Sequence, residues 1–244
     1  MQVVILCGGQ GTRAYPYTEH MPKPMLPVAG QPILLHVMQI FAEQGFTDFI
    51  LSLGYRKEII IDYFDRKVLD WNVQFVDTGE DTDTGGRIHH LRDLLGDRFM
   101  ATYVDGLSDV DLHKLIAFHD AHDGLATVTA VPLISQYGTI QMNGAGQINE
   151  FREKPVLREH WINAGFFVFD KRVFDCWEGT NLEKHVMPAL VRKRLMYAYR
   201  HDGFFKSMDT YKEAQEIEQM YLTGDIRWRI AGEPAKRAPV AAAS

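Results

Sequence analysis

Gly8-Gly9-Gln10-Gly11-Thr12-Arg13 follows the apolar run Met1–Leu6 after the single residue Cys7, and Lys23 stands shortly after it between Pro22 and Pro24. Glycine lets a backbone approach an anion closely, so several N–H groups of such a loop can converge on phosphate oxygens. Arg13 adds a planar fork and Lys23 a point charge on a stiff segment, a combination suited to a triphosphate. Two other phosphate chemistries are separated by spacing. A Walker A loop needs Gly-Lys-Ser/Thr, which occurs nowhere in the chain. The dinucleotide fingerprint G-x-G-x-x-A is met by Gly9–Ala14, but Pro16 and Pro22 interrupt the long helix that should follow. The segment FILSLGY also lacks an acid at its end to hold a ribose.

Carboxylates recur in loops: Asp81, Asp83, Asp105, Asp109, Asp111 and Asp209. TGEDTDTGG has the composition of a calcium loop without its twelve-residue spacing or closing glutamate. Asp105 reads as a turn-forming Asp-Gly or as a ligand at a strand end, and Asp209 as a helix N-cap or as a ligand. Arg87 pairs with a phosphate or with a nearby acid. Glu153-Lys154-Pro155 sets a hydroxyl acceptor beside a cation. The ten histidines show no H-x-x-x-H spacing, which argues against zinc.

These residues need a scaffold, and the hydrophobic pattern supplies one. Met1–Leu6, Phe49–Leu53, Asn72–Val76, Phe99–Val104 and Ala126–Val131 read as buried strands. Pro32–Gln44, Lys57–Arg66, Arg87–Leu95 and Leu112–His122 read as helices between them, Gly45 closing the first. Alternation without short hairpins predicts a mostly parallel sheet covered on both faces. After Pro132 the pattern changes. Tyr137–Met142, Gly146–Phe151 and Trp161–Phe169 read as strands around the hairpin turn Asn143-Gly144. Leu182–Val191 and Tyr211–Leu222 follow as helices, with a strand at Leu195–Arg200. The expected organisation is one domain over 1–231, with a nucleotide half (1–131) and a mixed half (132–231). The tail 232–244, GEPAKRAPVAAAS from Gly232, is expected to be disordered.

GGQGTR followed by PKPMLPVAGQPIL resembles the signature of the sugar-1-phosphate nucleotidyltransferases, and the likeness spans roughly residues 1–225. VDTGEDTDTGGRI, YVDGLSDVD, EKP, WINAGFFVF and SMDT look like the glucose-1-phosphate cytidylyltransferases within that family. The resemblance implies a Rossmann-like (GT-A-like) α/β fold, a central sheet flanked by helices with a smaller mixed β sugar-binding part. It implies an enzyme condensing a nucleoside triphosphate, CTP first, with a sugar-1-phosphate, glucose-1-phosphate first, and releasing pyrophosphate. By the same likeness, Asp105 and Asp209 hold Mg2+. Leu6, Gly8, Gly9, Gly11, Thr12, Arg13, Lys23 and Asp105 bind the nucleotide with Thr78, Gly79, Thr84, Gly85, Gly86 and Arg87, the last group reaching the base. Glu153, Lys154, Asn163, Gly165 and Gly138 bind the sugar phosphate, and Arg13, Lys23 and Lys154 carry the catalysis. Ala164 stands where the family more often has glycine, which keeps other sugars open, a heptose or another hexose phosphate, as GTP or UTP stays open at the base. A nucleotide-sensing domain without turnover is the non-enzymatic alternative.

The net charge of −6 argues against broad nucleic-acid binding but permits a local basic pocket. No apolar run approaches the roughly 18 residues that span a membrane, and the N-terminal run is too short for a signal peptide. Two cysteines form no framework, which fits a reducing cytoplasm. Cys7 reads as core rather than nucleophile, as do Phe166, Phe167 and Phe169. A homo-oligomer is compatible with all of this.

Overall fold

The computed structural model describes residues 1–11 and 17–229. Thr12, Arg13 and the tail therefore lie outside the described residues. The first part of the chain forms β1 (Gln2–Leu6), the short β2 (Pro27–Val28) and β3 (Gln31–Pro32), α1 (Ile33–Ala42), β4 (Asp48–Leu53) and α2 (Lys57–Asp65). It continues through β5 (Asn72–Asp77), α3 (Thr84–His90), β6 (Arg98–Tyr103), β7 (Gly106–Ser108), α4 (Leu112–Asp120) and β8 (Ala126–Ile134). The remainder forms β9 (Thr139–Met142), β10 (Ile148–Arg152), β11 (Val156–Asp170), α5 (Met187–Arg192), β12 (Met196–Arg200), β13 (Phe205–Ser207) and α6 (Tyr211–Leu222).

One seven-stranded sheet runs in the order β12-β8-β11-β6-β1-β4-β5. β6, β1, β4 and β5 are mutually parallel, and β12 is parallel to β8. β11 runs antiparallel between β6 and β8, so a strand from the second half of the chain completes the sheet begun by the first. The expected mostly parallel sheet, covered on both faces, is what forms. Along β1, Val3, Ile5 and Cys7 face a core shared with α1 and α2, while Val4 and Leu6 face one shared with α3 and α5. A strand buried on both faces must be apolar at every position, which is why β1 shows no alternation. Cys7 is fully buried and burial pushes its thiol pKa upward, as expected of a core cysteine.

Register aligns the ends of the parallel strands. Leu6 pairs with Tyr103 and with Ser52, and Leu53 pairs with Asp77. The loops that begin at Cys7, Gly54, Thr78 and Val104 thus leave the sheet along one carboxyl edge, where open α/β sheets bind ligands.

Several elements differ from the pattern: β2, β3, β7 and β13 form where no strand was expected, and the helix expected over Leu182–Val191 is a π-helical segment, Leu182–Val186, running into α5. The helix expected at Arg87–Leu95 spans Thr84–His90 instead. Glycines disfavour helix interiors, but here Gly86 N–H donates to Thr180 O at 2.6 Å, and a Cβ on Gly85 would lie 2.9 Å from that same oxygen. Tertiary contact outweighs propensity at this start. The strand expected from Trp161 begins at Val156, because its first residues pair with β8.

A histidine pair, the buried His119 on α4 and the half-buried His122 in the turn after it, makes stability depend on pH. His119 Nδ1 and His122 Nε2 both contact Thr127 Oγ1, at 2.9 and 2.8 Å, and Gly124 N–H donates to His122 Nδ1. Acceptance at Nδ1 puts the His122 proton on Nε2, which donates to Thr127, leaving the hydroxyl proton for His119. Both rings are therefore held neutral. Burial lowers the His119 pKa to about 4. The unfolded chain takes up that proton first as pH falls, so the contribution is complete above the ordinary 6.5 and is lost down to about 4. Urea unfolding at pH 7 and pH 4.5 should show a drop that His119→Gln reduces by roughly 2–3 kcal/mol. Equal drops in both proteins would show that the pair does not titrate in this way.

Candidate active site

Lys23 is fixed by its neighbours. Residues Lys23–Met25 form a 3-10 turn entered through Pro22, and the residue is buried. Gly11, at φ +64°, passes so close that a Cβ there would lie 2.8 Å from Lys23 Cβ. Glycine at that position lets the loop lie along the lysine stem. Lys23 Nζ donates to Asp105 Oδ2 at 2.5 Å and to Asp209 Oδ1 at 2.8 Å.

Two carboxylates so distant in sequence meet because β7 and β13 pair. Gly106 lies opposite Ser207, and Met208 N–H donates to Asp105 O, which brings Asp209 alongside. The N-cap alternative for Asp209 is decided by α6 itself. Thr210 is the cap, its hydroxyl accepting from Glu213 N–H while the Glu213 carboxylate accepts from Thr210 N–H. The Asp105 and Asp209 side chains are thus both directed at Lys23.

A cavity of about 330 Å3 opens beside Lys23. Of the residues named for the nucleotide, Leu6, Gly8, Gly9, Gly11, Lys23, Thr84, Arg87 and Asp105 line it, and Thr82, Asp83 and Tyr103 add to the wall. Thr78, Gly79, Gly85 and Gly86 are not part of its wall. Gly85 and Gly86 pack α3 against Thr180 and Leu182 rather than baring backbone toward the cavity.

Arg87 departs from both expectations made for it. Its Nη1 donates to Leu53 O and Thr78 Oγ1, and its Nη2 to Gly8 O and Glu80 O, at 2.7–3.0 Å. Both terminal nitrogens are used on the cavity wall itself, and burial lowers the pKa of the guanidinium. Gly8 lies so close that a Cβ would fall 1.8 Å from Arg87 Nη1. Arg87 joins the loops after β1, β4 and β5 at the sheet edge.

The residues expected at the sugar fall into two groups. Asn163 and Gly165 lie on β11 against Tyr103. Asn163 Oδ1 accepts from Gly165 N–H at 2.7 Å, and its Nδ2 donates to Tyr103 OH at 3.3 Å. Gly165, at φ +81°, leaves room for the Tyr103 ring, which a Cβ would approach to 2.4 Å. Gly138, Glu153 and Lys154 are outside the cavity wall, at the base of the β9–β10 hairpin. Glu153 and Lys154 are exposed, Lys154 at φ +44°. Sequence reasoning did not find Tyr103; its one signal is its place two residues before Asp105 at a strand end.

Two further loop aspartates, Asp109 and Asp111, serve the scaffold. Asp111 caps α4, and Asp109 accepts from Phe204 N–H and contacts His201 at 2.8 Å. Among the described residues no three His, Cys, Asp or Glu side chains gather closely enough to hold an ion. The Asp105–Asp209 pair still fits a hard divalent cation, which commonly takes one or two carboxylates and completes its shell with substrate phosphate oxygens.

The sequence profile of the family described as Nucleotidyl transferase matches residues 2–209. A Bacillus subtilis protein named "Probable glucose-1-phosphate cytidylyltransferase" is 37% identical over 94% of this chain and 100% of its own length. The glucose-1-phosphate cytidylyltransferase of Salmonella typhimurium is 34% identical over 94% of this chain and 99% of its length. Mannose-1-phosphate guanyltransferase of Schizosaccharomyces pombe is 32% identical over 92% of this chain and 63% of its length. Among solved structures, HddC from Yersinia pseudotuberculosis superposes with a TM-score of 0.70 at 23% identity, covering 90% of this chain and 99% of that one. A Bacillus anthracis structure described as a putative glucose-1-phosphate thymidylyltransferase gives 0.67 at 18% identity, covering 96% and 98%. These two likenesses bear on the fold alone and agree with the Rossmann-like sheet. The profile and the full-length relatives show that this chain belongs to the sugar-1-phosphate nucleotidyltransferase family.

Proposed function

We propose that this enzyme condenses CTP with glucose-1-phosphate to CDP-glucose and pyrophosphate. The observation that carries the reading is Lys23, held between Asp105 and Asp209, on the wall of the glycine-lined cavity. CTP and glucose-1-phosphate are assigned from the two relatives named as cytidylyltransferases. A phosphate oxygen of the sugar phosphate attacks the α-phosphorus of the triphosphate. The new O–P bond forms as the bond to the β-phosphate oxygen breaks, and pyrophosphate leaves with that electron pair. The sugar phosphate is an anion at neutral pH, so no general base is needed.

Catalysis then rests on positioning and charge. The backbone of Gly8, Gly9 and Gly11, with Leu6 and Thr12, cradles the triphosphate. Arg13 and Lys23 neutralise the departing pyrophosphate, and Lys154 holds the attacking phosphate. Thr78, Gly79, Thr84, Gly85 and Gly86 shape the base side, while Glu153, Gly138, Asn163 and Gly165 serve the sugar. Enzymes of this family generally use a divalent metal. We assign Mg2+ to Asp105 and Asp209, where it would supply charge neutralisation on the phosphates. No helix among the described residues is long and apolar enough to cross a membrane, and both cysteines are free. We place the reaction in the cytoplasm.

The test is a matrix of the four ribonucleoside triphosphates against a panel of sugar-1-phosphates with Mg2+, read as pyrophosphate release. The expected maximum is CTP with glucose-1-phosphate. Release with no pair would refute turnover, and a preference for GTP or UTP would refute the cytidylyl assignment alone. A guanylyl enzyme acting on mannose-1-phosphate is the second reading, favoured by the 32% identity to the yeast relative.

A further inference from the structure

One exposed carboxylate links the two sides of the cavity. Glu183 Oε2 accepts from Thr84 Oγ1 at 2.7 Å, and its Oε1 accepts from Tyr103 OH. Thr84 is the first residue of α3, the helix on the proposed base side, and its hydroxyl also accepts from Leu182 N–H at 3.0 Å. Tyr103 ends β6 two residues before Asp105, and its hydroxyl accepts from Asn163 on the proposed sugar side. Thr84 and Tyr103 both line the cavity, whereas Glu183 does not.

Each end of this chain of bonds is tied to its own neighbours in the fold. The Tyr103 ring is seated over Gly165, where no side chain would fit, and meets Phe167 edge-on. Asn163 cannot turn its amide, because its oxygen is fixed by Gly165 N–H. Thr84 is fixed by the contacts of α3 with Thr180 and Leu182. Among the described residues, Glu183 is the hydrogen-bonded link in this network between the Thr84 end and the Tyr103 end. We infer that Glu183 is a positioning residue of the active site, setting the distance between the nucleotide side, through Thr84, and the sugar side, through Tyr103 and Asn163. Its two oxygens do different tasks, so reach matters more than charge. Glutamine can accept from one hydroxyl and donate to the other, while aspartate is one methylene too short to meet both.

This inference rests on the transfer reaction proposed above. The experiment measures kcat and KM for both substrates by pyrophosphate release, with melting temperatures alongside, in wild type, E183Q, E183D, E183A, Y103F and E183A/Y103F. Misplacement on the order of 1 Å can cost about 10²-fold, and E183A and E183D are expected to lose kcat on that scale. E183Q should retain most of it. All single variants should melt close to wild type, since Glu183 is exposed and Y103F keeps the ring. The double variant should lose no more than E183A, because both remove the same link. A normal kcat in E183A, or additive losses in the double variant, would overturn the positioning role. A wild type without pyrophosphate release overturns the transfer reaction and this inference with it.

Discussion

Asp105→Asn and Asp209→Asn are each expected to lower turnover by about 10³-fold while leaving the protein folded. The removed interaction is charge stabilisation worth several kcal/mol in the transition state, and each 1.36 kcal/mol is a factor of ten. Folding should survive because asparagine is nearly isosteric and Lys23 retains the other carboxylate. Lys23→Ala should also abolish turnover, but through the opposite electrostatic change. It removes the ammonium that stands between the two carboxylates and leaves like charges facing each other. Affinity for Mn2+, followed by calorimetry in the absence of substrate, should therefore rise in Lys23→Ala and fall in both asparagine variants. Near-normal rates in Asp105→Asn or Asp209→Asn would refute their metal role. Unchanged Mn2+ affinity in all three would refute the shared site.

This constellation was half legible in the sequence. Lys23 announced itself because two prolines fix the backbone on either side of it, and Asp105 because it follows an apolar strand. On its residues alone Asp209 looked more like a cap than a ligand, since Met-Asp-Thr precedes a helix, and only the family resemblance pointed to the metal. Only the placement of Thr210 and Glu213 shows which residue does the capping. The parallel sheet was readable because a strand buried on both faces leaves a continuous apolar run. The insertion of β11 between β6 and β8 was not, because long-range order in a sheet leaves no local pattern. Arg87 was misjudged for a related reason. A lone arginine in a glycine-rich segment suggests an anion, and nothing local reveals that carbonyl oxygens from three loops converge on it. Tyr103 carried only the weak signal of an aromatic at a strand end two residues before Asp105, and Glu183, one charge among many, carried none.

Arg87→Met is expected to lower unfolding free energy by about 3 kcal/mol, since hydrogen bonds to a charged group contribute about 1.5–3 kcal/mol each and part of that offsets desolvation. Leu53 O and Gly8 O keep other donors, Thr78 N–H and Tyr55 N–H, whereas Glu80 O has Arg87 as its described partner. The loss is thus smaller than four bonds would give. Arg87→Lys keeps the charge without the fork and should recover only part of it. Gly8→Ala should resemble Arg87→Met, because the added methyl falls on the guanidinium and must push it from its four acceptors. The functional consequence follows from what those acceptors belong to. Gly8 O lies in the loop proposed to cradle the triphosphate, and Leu53 and Thr78 end and follow the strands beside it. Releasing them should raise the KM for the triphosphate more than that for the sugar phosphate, whose proposed contacts on β11 do not touch Arg87. Denaturant midpoints with paired KM measurements decide the matter. If Arg87→Met unfolds at the wild-type midpoint yet loses triphosphate affinity, the guanidinium binds the ligand directly and the clasp is not its role.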